Sequence, residues 1–578
     1  MNRRLLQSSF MRVAAMVGCT VLFMSQLATA GSILEGQRMH PVQGKEGMVV
    51  TSHFLATQSA QKVLKNGGNA IDAAVTAAFS LAVTQPRSGN IGGGGFMLIS
   101  SEKKNEVVAI DYREKAPGKA TVDMFLDKEG NADSQVSRYS HLAAGVPGTV
   151  AGLAMALEQY GTISLKDAMA PAIKLAEEGF IVTPRFSDGL KKKEKMLKKW
   201  DSSLKIFYKA DGTYYEPGEL FIQKDLAATL KRISENGIKE FYEGKTAELL
   251  VAEMARHGGL ISMEDMKNYS PGFRTPVHGN YRGYDIYSMS PPSSGGTHVV
   301  QILNILEGYP ISKYGHNSAK TIHLMAEAMK RAYADRSHYL GDEDFVKVPL
   351  KGLTSKKYAE VLRKEIDPEK ATPSATIAQN NPLPYESNET THFSIVDKFG
   401  NAVSNTYTIN FSYGSGIVVE GAGFLLNNEM DDFSAKPGVP NAYGLLGGDA
   451  NKVEPNKRML SSMSPTIVKK DGKNFLVTGS PGGSRIITTT LQVIMNVIDH
   501  NLNILSAVAA SRIHHQWLPD EIRVEEGLSP DTIATLQEMS HEIKVKSAMG
   551  AIQSIMIKDG KMFGAADPRR STALAAGL

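Results

Sequence analysis

The stretch Glu386-Ser-Asn-Glu-Thr390-Thr391-His392-Phe393-Ser394 separates two parts of the chain that differ in pattern. Before it, Ala371–Glu389 is polar and contains Pro, which is typical of an exposed linker. After it, His392–Val396 and Ala402–Asn410 have the composition of strands, and Asp397–Asn401 between them is typical of a turn. The stretch therefore predicts a linker that leads into a β-hairpin.

The hairpin turn indicates which residues face each other. A turn centred near Phe399 places Thr390 opposite Thr408, to within about one residue. Strand alternation then predicts that Thr408 and Asn410 lie on the same face of the sheet. The pattern thus gathers two Thr residues and one Asn where the linker meets the first strand.

A threonine at such a junction can act as a nucleophile if the chain is cut in front of it. Its hydroxyl reacts poorly at neutral pH, but the α-amine of an N-terminal Thr can serve as its base, because the pKa of that amine is about 8. A cut between Glu389 and Thr390 would release this amine. The stretch alone also fits an edge hairpin in which Thr occurs for its β-propensity, and on this evidence alone that interpretation is the stronger one.

Further motifs extend the pattern over most of the chain. In chain order they are Gly92–Gly95, Asp111–Glu114, Leu426–Ser434, Leu460–Pro465 and Gly479–Arg485. Together with Thr390–His392, Thr408 and Asn410, they resemble the gamma-glutamyltranspeptidase family, whose small subunit begins at the Thr of such a motif. The resemblance covers nearly the whole mature chain and outweighs the simpler interpretation of the hairpin.

The resemblance implies an α/β protein with the N-terminal nucleophile hydrolase fold, a four-layer α-β-β-α sandwich. It also implies self-cleavage between Glu389 and Thr390, which would give a large subunit of residues 31–389 and a small subunit of residues 390–578. The two subunits would form one interlocked domain. The pattern by itself shows strands and helices without regular βαβ repetition and leaves the topology open.

The implied reaction is γ-glutamyl transfer from glutathione or another γ-glutamyl compound to water, or to an amino acid or peptide acceptor. Thr390 would attack the γ-amide carbonyl and carry the acyl group, and Thr408 would orient this nucleophile. The N–H groups of Gly482 and Gly483 would hold the oxyanion. No metal or organic cofactor is implied.

The resemblance further implies a site for the free amino-acid head of the donor. The head would be held through its carboxylate by Arg113, Ser461 and Ser462, and through its ammonium group by Asn410, Glu429 and Asp432. The charges agree with this assignment, because such a head requires both a cation and an anion from the protein. Tyr443, in the Gly- and Pro-rich segment Pro437–Gly448, would lie in a lid over the site.

Without the resemblance, each of these groups has a simpler interpretation. An Arg at a strand end often forms a surface ion pair, and an acidic loop such as Asn427–Asp432 is usually solvated. His514-His515, and His323 with Glu327, lack a metal-ligand pattern and fit core or surface histidines better. Two other functions stay open, namely an acylase of the same fold that acts on another amide, such as a glutaryl side chain, and an uncut exported amino-acid-binding protein.

The composition fits an exported globular protein. Of 578 residues, 42% are hydrophobic and 21% charged, and with a net charge of +4 no tract is basic enough to indicate nucleic-acid binding. Two Arg residues near the N-terminus, the apolar run Val13–Met24 and Ala28-Thr29-Ala30 form a signal-peptide pattern with cleavage after residue 30. The single cysteine, Cys19, lies in this leader, so disulfides are excluded from the mature chain. These features predict a periplasmic protein that is not anchored in the membrane.

Overall fold

The structure, a computed structural model, describes residues 40–377, 391–434, 436 and 448–578. Glu389, Thr390 and Tyr443 lie outside these ranges. The predictions of a cleavage point, a nucleophile and a lid therefore concern residues that the structure does not describe. Within the described ranges, no helix combines the length and the apolar character needed to cross a membrane.

The described residues form nineteen strands in two large and two small sheets. The strands are β1 Val42–Gly44, β2 Gly47–Thr51, β3 Gly94–Ser101, β4 Glu106–Tyr112, β5 Phe180–Ile181, β6 Leu220–Phe221, β7 Gly272–Arg274, β8 Val277–Tyr281, β9 Tyr284–Ser288, β10 Thr391–Asp397, β11 Ala402–Thr408, β12 Thr466–Lys470, β13 Lys473–Thr478, β14 Ile513–His514, β15 Ile522–Glu525, β16 Ile543–Lys546, β17 Gln553–Lys558, β18 Lys561–Ala566 and β19 Leu574–Gly577. The first sheet has the order β19-β2-β10-β11-β3-β4-β7, and the second has the order β1-β18-β17-β13-β12-β9-β8. β14, β15 and β16 form a third sheet, and β5 pairs with β6.

Twenty α-helices occur in the same part of the chain. They are α1 Phe54–Lys65, α2 Ala70–Thr84, α3 Ser134–Tyr139, α4 Thr149–Tyr160, α5 Leu165–Glu178, α6 Pro184–Lys192, α7 Glu194–Leu197, α8 Asp201–Phe207, α9 Lys224–Asn236, α10 Ile238–Tyr242, α11 Lys245–His257, α12 Met263–Lys267, α13 Gly295–Glu307, α14 Ile311–Tyr314, α15 Ala319–Tyr339, α16 Leu350–Leu353, α17 Lys356–Lys364, α18 Arg485–Ile498, α19 Ile504–Ala509 and α20 Pro530–Glu538. Local capping explains several starts, since Asn69 accepts hydrogen bonds from the N–H groups of Ile71 and Asp72 at the start of α2.

The first sheet is buried on both faces. In β10, Phe393 and Ile395 pack on one side in a large core that also contains residues of α2, α4 and α5. On the other side, Ser394 Oγ donates a hydrogen bond to the carbonyl oxygen of Gln553 in β17, at 2.8 Å. Alternate residues of one strand therefore face the helices and the second sheet.

The second sheet has its own helical cover. Val468 of β12 belongs to a core that includes residues of α13, α15 and α18. A smaller core lies between the two sheets and joins Phe96 and Leu98 of the first sheet to Ile467 of the second. The layers are thus helices, sheet, sheet and helices, which confirms the predicted four-layer α-β-β-α sandwich.

The predicted hairpin is present, with one correction. β10 and β11 pair antiparallel, with Thr391 opposite Tyr407, and the turn is centred at Phe399 as expected. The predicted second strand is too long, because β11 ends at Thr408 and Asn410 has a left-handed backbone with φ of 69°. Alternation therefore does not apply at Asn410, and a turn that Asn tolerates sets its direction.

The described part of the predicted linker contains one buried residue, Ser374. Ser374 is buried in a 3-10 turn, where its N–H donates to Asp520 at 2.7 Å and its carbonyl accepts from the Trp517 indole at 2.9 Å. The prediction of an exposed linker is therefore wrong for Ser374, whereas its neighbours Pro373, Ala375 and Thr376 are exposed as predicted. Residues 378–390, the remainder of the predicted linker and the first residue after it, lie outside the described part of the chain.

Candidate active site

A small cavity lies where β4 and β11 end and α18 begins. Eight residues predicted for catalysis or substrate binding line it, namely Arg113, Thr408, Asn410, Glu429, Asp432, Ser461, Ser462 and Gly483. Gly482, also predicted, lines an adjacent and larger cavity instead. The fold thus brings together five segments that are distant in the sequence.

A close backbone contact holds the end of β11. A Cβ at Gly93 would lie 2.0 Å from the carbonyl oxygen of Thr408, so only glycine fits there. The same carbonyl accepts a hydrogen bond from Asn90 Nδ2 at 2.9 Å. The N–H of Asn410 donates to Thr408 Oγ1 at 2.8 Å. The Gly92–Gly95 run therefore positions Thr408.

Arg113 follows β4 and is 1% exposed. Its Nη1 donates to Glu429 Oε2 at 2.5 Å, and its Nη2 donates to Asp432 Oδ2 at 2.6 Å. Glu114 Oε2 lies 3.5 Å from the same Nη1. The family resemblance assigns Arg113 to the carboxylate of the substrate, and Glu429 and Asp432 to its ammonium group. In this structure these residues instead form ion pairs with one another.

Each of the three acids beside Arg113 keeps one oxygen without an N–H or O–H donor among the described residues. Glu429 Oε1 and Asp432 Oδ1 are buried and accept no hydrogen bond from an N–H group or a hydroxyl of the described residues. A buried polar atom left in this way costs about 1–3 kcal/mol. A ligand that brings several N–H donors into the cavity, such as an ammonium group, would satisfy both oxygens.

Gly482 and Gly483 form the turn before α18. Their φ angles are 138° and 57°, both in the region that favours glycine. Neither N–H donates a hydrogen bond to a group in the described ranges. Because the turn also precedes the N-terminus of a 14-residue helix, it can stabilise negative charge on a reacting oxygen.

The site occurs in a chain with known relatives. A family model described as Gamma-glutamyltranspeptidase matches residues 56–577. The chain belongs to the gamma-glutamyltranspeptidase family. It is 56% identical over 546 residues to the glutathione hydrolase proenzyme of Escherichia coli strain K12, with 94% of each chain covered.

The chain is similar to solved structures of a gamma-glutamyltranspeptidase and of a cephalosporin acylase. The crystal structure of Helicobacter pylori gamma-glutamyltranspeptidase is 52% identical, with a TM-score of 0.56, and covers 57% of this chain and 93% of that one. The crystal structure of a cephalosporin acylase from Bacillus halodurans is 28% identical, with a TM-score of 0.82, and covers 94% of this chain and 97% of that one. Because the fold is shared, the side chains of the site must distinguish the two activities.

One cation of the site is not predicted from the sequence. Arg336, near the end of α15, lines the cavity and is buried. It donates to Ser294 Oγ at 2.9 Å and to Ser462 Oγ at 3.2 Å, and burial lowers its pKa to about 10. Ser484, Leu460, Met463 and Ile486 also line the cavity and carry no assigned role. α15 carries several Lys and Arg residues, and its sequence has no signal for which one reaches a buried site.

Two groups of His and Glu side chains in the described residues have the spacing to hold a metal ion, and neither group lines the cavity. They are His323, Glu327 and His541, and His141, Glu253 and His257. Glu327 also pairs with Lys330 at 3.1 Å and with Arg331 at 2.8 Å, and His141 Nε2 lies 2.9 Å from Glu253 Oε1. Hydrogen bonds and ion pairs inside the protein therefore already involve both groups.

The acids of the site have raised pKa values. Burial raises the pKa of Glu114 to about 7, although the charge of Arg113 opposes the rise. Burial likewise raises the pKa of Glu429 well above its ordinary value and that of Asp432 above its own, again against the effect of Arg113. The folded protein therefore binds protons at pH values where the unfolded chain has released them, and this part of its stability falls as the pH rises.

Replacing Glu114 by Gln tests this linkage. As the pH rises from about 4.5 to about 7, the wild type should lose stability relative to the variant, by at most about 3 kcal/mol for this shift in pKa. We expect the Tm of the variant minus that of the wild type to increase over this interval, as measured by calorimetry at several pH values. Glu46→Gln, at an exposed position, is the control. A difference in Tm that stays constant with pH would contradict the raised pKa.

Proposed function

We propose that this protein is a γ-glutamyltransferase and glutathione hydrolase that matures by a cut between Glu389 and Thr390. The observation that carries the proposal is the ion-paired set of Arg113, Glu429 and Asp432 in one cavity. Such opposite charges suit the α-carboxylate and the α-ammonium group of a free γ-glutamyl head. The name of the Escherichia coli relative, glutathione hydrolase proenzyme, supports both the activity and the maturation.

Donor binding would exchange ion pairs inside the protein for ion pairs with the substrate. The α-carboxylate would take the place of the acids at Arg113, with hydrogen bonds from Ser461 and Ser462. The ammonium group would then lie between Glu429 and Asp432, with Asn410 accepting a further hydrogen bond. Because Arg113, Glu429 and Asp432 each keep a partner in both states, the desolvation cost of binding is largely offset.

Thr390 performs the chemistry in this proposal. Its α-amine takes the hydroxyl proton while the hydroxyl oxygen forms a bond with the γ-carbonyl carbon. The N–H groups of Gly482 and Gly483 hold the oxyanion, and Thr408 orients the nucleophile. The C–N bond then breaks as the α-ammonium group returns the proton to the leaving amine. Water or an acceptor amine attacks the resulting ester and restores Thr390.

The cut would produce subunits of residues 31–389 and 390–578 after removal of a leader of residues 1–30. Strand pairing crosses this boundary, since β10 pairs with β2 and β11 pairs with β3. We further propose export to the periplasm, amino acids or peptides as acceptors, and a lid that contains Tyr443. Small molecules are thus the partners of the site.

An acylase that acts on an amide without an α-amine is the second candidate, because a cephalosporin acylase has the same fold. A plain diacid side chain offers no ammonium group. It would leave the unused oxygens of Glu429 and Asp432 without donors. The structure of the site therefore favours a donor with a free α-amine.

The ratio of the kcat/KM values for γ-glutamyl-4-nitroanilide and glutaryl-4-nitroanilide tests the proposal. We expect the wild type to prefer the first by about 100-fold or more in kcat/KM, because a site built for a polar group discriminates strongly against its absence. Asp432→Asn should reduce this preference by about 10-fold or more, mainly through the KM of the γ-glutamyl donor.

Asp431→Asn is the matched control for Asp432→Asn. Asp431 lies in the same turn, but it accepts a hydrogen bond from Ser137 and does not line the cavity. Its replacement should leave the ratio of the two kcat/KM values close to that of the wild type. If the wild type hydrolyses the glutaryl donor with the same kcat/KM as the γ-glutamyl donor, the acylase is the better assignment.

A further inference from the structure

Arg336 is a buried cation that the proposed mechanism does not use. It lies in the last turn of α15 and lines the same cavity as Arg113. Its guanidinium forms no ion pair with a carboxylate within the part of the chain that the structure describes. Asp432, whose charge opposes the lowering of the pKa of Arg336, pairs with Arg113 instead. Because burial of a charge without a counter-charge is costly, a role in binding accounts for this position better than packing alone.

The hydrogen bonds of Arg336 lead to two serine hydroxyls. Its Nη2 donates to Ser462 Oγ at 3.2 Å, and its Nε donates to Ser294 Oγ at 2.9 Å. Ser294 Oγ in turn donates to the carbonyl oxygen of Ser461 at 2.8 Å, and the N–H of Ser294 donates to the same oxygen at 2.9 Å. Arg336 therefore contacts one of the two serines proposed to hold the donor carboxylate, and a single residue connects it to the other.

The contact with Arg336 determines how Ser462 can form further hydrogen bonds. A guanidinium only donates, so Ser462 Oγ accepts this bond and keeps its own proton for another acceptor. That proton is donated to no group within residues 40–377, 391–434, 436 and 448–578. Ser462 lines the cavity, where an anion would be the matching partner. A hydroxyl that accepts from a cation is also a stronger donor, because hydrogen bonds in a chain polarise one another.

We propose that Arg336 is a positioning residue, which directs the hydroxyl of Ser462 towards the α-carboxylate of the γ-glutamyl donor. This inference rests on the proposed function, which places that carboxylate at Arg113, Ser461 and Ser462. Arg336 would not contact the donor itself. It would exclude the arrangement in which Ser462 donates to the protein and presents only lone pairs to the carboxylate. The donor would thus gain a hydrogen bond whose geometry is fixed before it binds.

A purely structural role of Arg336 would have a different kinetic signature. Its hydrogen bond also fastens α15 to the loop that contains Ser462, so its loss would then lower the stability of the protein. Fewer molecules would be active, which lowers kcat and leaves KM unchanged. Loss of an oriented hydroxyl instead raises the KM of the donor, because the α-carboxylate is bound in the ground state and in the transition state alike.

A double-mutant cycle of Arg336→Met and Ser462→Ala tests the inference, with KM for γ-glutamyl-4-nitroanilide measured on purified, cleaved protein. We expect each single variant to raise KM about tenfold, the effect of losing one hydrogen bond to a charged group. The double variant should have the KM of Ser462→Ala to within about twofold, because Arg336 acts through a hydroxyl that is then absent. Single effects that multiply in the double variant, or an unchanged KM in Arg336→Met, would overturn the inference.

Two further variants complete the experiment. Arg336→Lys keeps the charge and the N–H donors but lacks the planar fork that reaches both serines, so its KM should lie between those of the wild type and Arg336→Met. Lys320 is a cation of the same helix that pairs with Glu369 and does not line the cavity. Lys320→Met should therefore have the KM of the wild type.

The possible failures of this experiment are distinguishable. N-terminal sequencing establishes whether the variants are cut. If Arg336→Met and Arg336→Lys both stay as single chains, the residue acts in folding or maturation and the inference is wrong. If the wild type does not hydrolyse the donor, the proposed function itself fails, whereas an active Arg336→Met protein with an unchanged KM refutes only the role of Arg336.

Discussion

Replacing Thr390 by Ala is expected to leave the protein as one uncut chain without γ-glutamyl hydrolase activity. In the proposed mechanism the hydroxyl is required for the acyl-enzyme, and the cut in front of it supplies the base. Loss of the nucleophile should lower kcat by about 10⁴-fold or more. Intact mass spectrometry measures the cleavage, and hydrolysis of γ-glutamyl-4-nitroanilide measures the activity.

Two neighbouring substitutions serve as controls for Thr390→Ala. Thr390→Ser keeps a hydroxyl and should still be cut, with reduced activity. Thr391→Ala removes the next hydroxyl, which forms a 2.7 Å hydrogen bond with Ser52 Oγ, and should also be cut. A Thr390→Ala protein that still separates into two fragments would place the nucleophile elsewhere, and the N-terminal sequence of the smaller fragment would locate it.

Replacing Arg113 by Met is expected to reduce both stability and activity. Its loss leaves Glu114 and Glu429 buried without their counter-charge and removes one of the two cations near Asp432, and breaking a buried ion pair in this way costs about 3–5 kcal/mol. The α-carboxylate of the donor loses the same partner, so kcat/KM for γ-glutamyl-4-nitroanilide should fall by about 100-fold or more. Calorimetry and steady-state kinetics measure the two effects.

A triple variant separates the two consequences of losing Arg113. Adding Glu429→Gln and Asp432→Asn to Arg113→Met removes two of the acids that lost their ion pair with Arg113. Most of the decrease in Tm should therefore be reversed, while activity stays low. Arg138→Met is the control, because Arg138 is partly exposed and lies 3.4 Å from Asp431 in a weaker pair. An Arg113→Met protein with the Tm of the wild type would show that the acids need no counter-charge.

Local signals in the sequence predicted much of the fold. The β10–β11 turn lies where its Gly and Asn residues place it. This prediction succeeds because a hairpin pattern depends on neighbours in the sequence. The layer order came from the resemblance to a family, since periodicity alone carries no information on how two sheets stack.

The site was predictable in its members but not in its contacts. The motifs named Arg113, Glu429 and Asp432, yet no spacing in the sequence indicates that they pair with one another in the absence of a ligand. The burial of Arg336 could not be predicted from the sequence either, because it depends on how α15 packs against the loop that contains Ser462. Long-range proximity of this kind is decided by the tertiary fold, and a single sequence does not contain it in readable form.

The division of the first sheet between two chains would affect how the protein folds and how it unfolds. A cut after Glu389 would assign β2, β3, β4 and β7 of the first sheet to one chain and β10, β11 and β19 to the other. Neither chain could complete the sheet alone, and each would expose unpaired strand edges. The precursor must therefore fold before it is cut. After the cut, refolding would require two chains to meet, so the mature enzyme would persist through slow unfolding rather than through repeated refolding.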